Sequence, residues 1–137
     1  MTKMPRPFII ALLIGAIVSL PAHAGGDVDA GRAFFNQDCG GCHALSSDTN
    51  HYAPNLNCII GRAAASAPFP RYTPDMKALE ANGLVWDHQN LDAFLTDPKT
   101  FARERLQNPD AIILMQVEVA EAADRQNVIA YIESRCR

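Results

Sequence analysis

Apolar positions along this chain mostly come in short groups at helical spacing, separated by polar stretches rich in turn residues. Val28, Ala30/Gly31 and Phe34/Phe35 recur at intervals that put them on one helix face, and Asp27 is a good N-cap, so the pattern predicts a helix through Gln37. Gly31 weakens that helix, which points to a close packing partner at this position. Residues 44 to 74 keep no period and are punctuated by Ser, Asn, Pro and Gly, so they read as loop. Thr73-Pro74-Asp75 opens a second helix, about Asp75 to Ala81, which stops at Asn82-Gly83. Asn90 caps a third, Leu91 to Thr96, halted by Asp97-Pro98, and a short fourth runs from Pro98 to Leu106. Gln107 to Met115 reads as loop, although Ala111 to Met115 is apolar. The last helix is the clearest: Glu118 to Ser134 has no Gly or Pro, and Ala120, Ala123, Val128, Tyr131 and Ile132 share a face. Strand signal is confined to short runs such as Leu84-Val85-Trp86. The class is all-α with long loops, and loops of that length need something to fix them.

The first 24 residues have a different character. Lys3 and Arg6 form a short positive start, Phe8 to Leu20 is an unbroken apolar or small-residue run, and Ala22-His23-Ala24 is an A-x-A cleavage site. That is the layout of a secretory signal peptide, cleaved after Ala24. A retained membrane anchor is the rival reading. Thirteen residues of helix rise only about 20 Å, short of a hydrocarbon core of roughly 30 Å. The expected product is one soluble domain, residues 25–137, in the periplasm. Without Lys3 and Arg6, ten basic residues face fifteen acidic ones, a formal charge of −5. Only Lys77 and Lys99 remain as lysines. Such a surface argues against nucleic acid or anionic lipid as a partner. Export also implies an oxidising compartment for Cys39, Cys42, Cys58 and Cys136.

Cys39-Gly40-Gly41-Cys42-His43 is C-x-x-C-H, the attachment motif for c-type haem. Two thiols at this spacing can add to the vinyl groups on one edge of a porphyrin, and the next residue then supplies an imidazole to the iron. Gly40 and Gly41 are expected to let the backbone turn tightly against the ring. Chance is a weak competitor, producing this pattern in roughly three such chains per thousand. A thioredoxin-like redox pair needs a βαβ context, and zinc needs further ligands at suitable spacing; neither is present. For the sixth iron position the mature methionines are Met76 and Met115. Met76 falls on a predicted helix and reads as core. Met115 lies in an irregular stretch before the last helix, where its thioether would raise the reduction potential as an axial ligand. An ordinary core methionine is the alternative there. His51 and His88 sit in polar sequence and read as solvated loop residues.

With these motifs in place, the mature chain resembles a class I c-type cytochrome of the mitochondrial-like, bacterial periplasmic kind, long type. The resemblance implies one covalent haem c and a fold in which the first and last helices cross, Gly31 and Phe35 meeting Val128 and Tyr131. It implies a role for Pro54 in Pro54-Asn55-Leu56, whose carbonyl would accept a hydrogen bond from His43 and so orient the ring. It assigns Arg62, Tyr72 and Trp86 to the haem propionates and Met115 to the distal iron position. There are departures: Ala53 replaces a Gly, Phe94 stands where Tyr is common, and the Gly-Thr-Lys-Met segment becomes Ile112-Ile113-Leu114-Met115. The lost Lys bears on partner docking more than on ligation. The family fold would bring Cys58 near Cys136, for a disulfide; two free thiols, or one open to dimerisation, are the alternatives.

The implied function is that of a monomeric one-electron carrier, not an enzyme, passing electrons between a redox protein donor and acceptor in respiration or photosynthesis. It would have no stable membrane insertion. A dedicated cytochrome subunit of one periplasmic oxidoreductase is a second reading. A ligand-binding or peroxidatic haem protein is a third, if Met115 does not ligate iron.

Overall fold

In the computed structural model residues 25–46 and 49–136 are described; residues 1–24, expected to be a signal peptide, lie outside them. Five α-helices follow in order: α1 (Val28–Phe34), α2 (Pro74–Ala81), α3 (His88–Thr96), α4 (Pro98–Leu106) and α5 (Ala122–Ser134). Between α1 and the C-x-x-C-H motif the backbone widens into one π-helical segment, Phe35–Cys39. Among the described residues the β structure is one isolated antiparallel bridge, Ala63 to Val85. No described helix is long and apolar enough to cross a membrane.

The crossing of α1 and α5 organises the molecule. A Cβ on Gly31 would collide with the Asn127 carbonyl and lie 2.9 Å from Tyr131 Cβ. Only glycine lets the two backbones approach this closely, which is the packing partner that Gly31 foreshadowed. Phe35 and Tyr131 seal the crossing with ring centroids 5.6 Å apart, and Val128 is fully buried. Asp27 accepts from the Asp29 and Ala30 N–H groups as an N-cap, while its own N–H donates to Asn127 Oδ1 at 2.7 Å. One residue thus starts α1 and ties it to α5.

Three boundaries differ from the sequence expectation. The first helix keeps α geometry only to Phe34 before it widens. The third begins at His88, not Leu91, because the Asp87 carboxylate accepts from the Asn90 N–H at 2.7 Å and takes the capping role expected of Asn90. The last begins at Ala122, four residues late. Residues 111–119 form instead an extended strap. Its side chains alternate: Ala111, Ile113 and Val119 are buried, whereas Ile112, Leu114, Gln116 and Glu118 are exposed. Tertiary hydrogen bonds hold this end of the strap out of the helix. The Val119 N–H donates to the Leu95 carbonyl at 2.8 Å. The Arg125 guanidinium donates to the Val119 and Ala120 carbonyls at 2.8 and 2.7 Å, and to Asp92 at 2.8 Å. Ala120 and Ala123 are consequently exposed, not on the packed face, which is carried by Val128, Ile129 and Ile132.

Around a central cavity, Trp86, Phe94 and Phe101 pack as a cluster with centroids 5.0 to 6.3 Å apart. Leu79 and Leu84 are fully buried beside them. Cys58 and Cys136 lie in disulfide contact, Cα to Cα 4.5 Å, and join the loop after Asn57 to the end of α5.

Candidate functional site

The C-x-x-C-H motif forms a tight turn at the end of the widened segment. Gly40 N–H donates to the Phe35 carbonyl at 2.7 Å, an i→i+5 bond. Cys42 and His43 N–H then both donate to the Cys39 carbonyl, at 3.0 and 2.9 Å. Neither glycine takes a positive φ, and Gly40 sits at −65°, so the turn does not draw on left-handed freedom. An added Cβ at Gly40 would make only ordinary contact with Phe35, at 3.4 Å, so the described residues do not themselves demand glycine there. Both thiols are free; Cys39 is buried and Cys42 exposed. Burial, then the charges of Asp38 and Cys42, push the Cys39 thiol up to about 11.

Both cysteines and His43 line a cavity of about 470 Å³, within the roughly 300–1,000 Å³ of cofactor sites. The other residues expected at the site (Pro54, Arg62, Tyr72, Trp86 and Met115) also line it. His43 Nδ1 donates to the Pro54 carbonyl at 2.7 Å. A carbonyl only accepts, so Nδ1 carries the proton and the Nε2 lone pair is free. Burial lowers the His43 pKa, and the Pro54 bond opposes that only in part. The imidazole is therefore held neutral, the form that ligates metal.

Arg62 donates to Asn55 Oδ1, the Asn55 carbonyl and the Asn57 carbonyl at 3.2, 2.7 and 2.9 Å, which braces the loop after Pro54. Burial lowers its pKa and raises that of Tyr72, while each group partly offsets the shift of the other. Mostly apolar walls, one imidazole, two thiols, and Arg62 and Tyr72 as donors form a set that suits haem, an amphiphile with vinyl groups and two carboxylates. A reactive vinyl edge would meet Cys39 and Cys42, and the donors would serve the propionates.

Met76 reaches the cavity wall as well as Met115, and both are half-buried. His51 and His88 are exposed and do not line it; His88 pairs with Glu133 at 2.9 Å. Sequence reasoning passed over Asn50, whose Oδ1 accepts from the Asn55 N–H at 2.9 Å and whose Nδ2 donates to the Pro68 carbonyl at 2.7 Å. It also passed over Arg71, which lines the cavity and donates to the His51 and Tyr52 carbonyls. Neither residue belongs to a motif, and each acts through backbone partners that no spacing rule identifies.

A family model for cytochrome c matches residues 28–135. A cytochrome c-551 of Roseobacter denitrificans is 35% identical, over 96% of this chain and 96% of its own length. A cytochrome c2 of Rhodospirillum rubrum is 31% identical, over 96% of this chain and 98% of its own. Among solved structures, cytochrome c2 from Rhodobacter sphaeroides superimposes with a TM-score of 0.75 at 32% identity, covering 82% of this chain and 98% of that one.

Proposed function

Because this chain belongs to the cytochrome c family, we propose that it is an exported one-electron carrier whose haem iron is held axially by His43 and Met115. Members bind one haem c covalently through C-x-x-C-H and are electron carriers, not enzymes. Bound haem c supplies a reversible one-electron couple. The observation that carries the axial assignment is that Nε2 of His43 is the free ring nitrogen, while the Met115 thioether lines the same cavity. Pro54 would keep the ring oriented and raise its basicity. Met115 would raise the potential and close the second axial position to substrate. Arg62, Tyr72 and Trp86 would receive the propionates.

The test is the absorption spectrum of the oxidised protein, which should carry the weak far-red band of Met–Fe(III). Met115→Ala should remove that band and Met76→Ala should spare it. The opposite result would assign the ligand to Met76.

Export and partners are further parts of the proposal. A signal peptide cleaved after Ala24 predicts a periplasmic product beginning at Gly25, which N-terminal sequencing would read. Ile112 and Leu114 beside Met115 are 60% and 64% exposed, and this apolar pair supports docking to a redox partner without a lysine ring. The same pair would suit a dedicated subunit of one oxidoreductase. Rates with a purified acidic partner that fall steeply with salt would contradict this docking mode, because they need a positive face.

A further inference from the structure

The strap carrying Met115 has no helical hydrogen bonds of its own, and its grip upstream of Met115 comes from another element. The Ile112 N–H donates to Asp75 Oδ2 at 2.8 Å. The Ile112 carbonyl accepts from Thr73 Oγ1 at 3.0 Å. Both partners sit at the start of α2. Ile112 is thus held by its backbone while its side chain points outward, and buried Ala111 and Ile113 on either side set the register. Downstream the strap is pinned by Lys99 to Gln116 at 3.3 Å and by Val119 to Leu95. Met115 lies between the two sets of pins.

We propose that Asp75 is a positioning residue for Met115. Its carboxylate accepts the Ile112 N–H in a charge-assisted bond and so sets how readily the thioether three residues on can be displaced from iron. Thr73 contributes to the same clamp, but its hydroxyl also caps α2 by accepting from the Met76 N–H at 3.1 Å, and it lines the cavity. Asp75 is the cleaner lever. The inference rests on Met115 as the axial ligand.

The test uses the oxidised holoprotein and added imidazole, which competes with a methionine ligand. Asp75→Ala should bind imidazole about tenfold more tightly, the equivalent of one such hydrogen bond. It should also lose the far-red band at lower imidazole. Asp75→Asn keeps an acceptor oxygen and should recover most of the wild-type value. An unchanged imidazole affinity in Asp75→Ala overturns the proposal, as does an Asp75→Asn shift equal to that of Asp75→Ala. If Met115→Ala removes the band while Asp75→Ala matches wild type, only the clamp fails. If Met115→Ala keeps the band, the ligand assignment fails and the clamp with it.

Discussion

His43 and Met115 line one cavity, yet the first is held by its sequence neighbours and the second by distant ones. His43 follows directly from a helix end, its N–H closes on Cys39, and its ring partner Pro54 is 11 residues away. Met115 rides a strap whose backbone partners Asp75 and Thr73 lie 37 and 39 residues back. A ligand fixed by local geometry and two covalent links would be hard to displace. One held through long-range hydrogen bonds would be the softer side, and small changes elsewhere would reach it.

The largest effect should come from removing the local links. Changing Cys39 and Cys42 to Ala should abolish haem that survives acid–acetone extraction; covalent haem retained by the double variant would refute the attachment. Next, Met115→Ala should keep covalent haem and lower the reduction potential, measured by redox titration, so that the two sides separate cleanly. A potential equal to wild type would mean that the distal side was misassigned.

Removing the disulfide should weaken both sides without distinguishing them, because Cys58 follows the Pro54 loop and Cys136 lies just past the end of α5. The chain-entropy model gives up to roughly 4 kcal/mol, read from urea unfolding of the Cys58→Ala/Cys136→Ala variant. Non-reducing mass spectrometry of the native protein should find the two peptides joined within one chain. Gly31→Ala forces α1 away from α5 and should cost about 1–3 kcal/mol, with the spectrum less affected than the melting temperature.

The smallest effect is at acid pH. Asp97 caps α4, and the bonds from the Thr100 side chain and N–H hold its carboxyl below the usual value. A depressed folded pKa means that its contribution is present above about pH 4 and is lost as pH falls through the folded value. Asp97→Ala should therefore lower the unfolding midpoint more at pH 7 than at acid pH. An equal loss at both pH values would show that the carboxylate charge plays no part.

Local chemistry was legible wherever neighbours in sequence supply the partners. Asp27 caps its own helix, Pro98 opens α4, Gly83 follows α2 with a positive φ of 77°, and the two thiols sit beside their histidine. The family resemblance added the Pro54 contact and brought Cys58 near Cys136. The start of α5 was not legible. The run from Glu118 has helical composition, and only the Val119–Leu95 and Arg125 bonds draw its first residues into the strap.

The sequence by itself determined the attachment chemistry and the helical class, because two thiols, an imidazole and caps within a few residues leave the backbone few choices. Tertiary structure alone decided how Ile112 is gripped, why Ala120 and Ala123 face solvent, and that Met76 shares the cavity wall with Met115. An extended strap has no internal backbone–backbone hydrogen bonds to encode locally, so its course is written in the surfaces and donors it crosses.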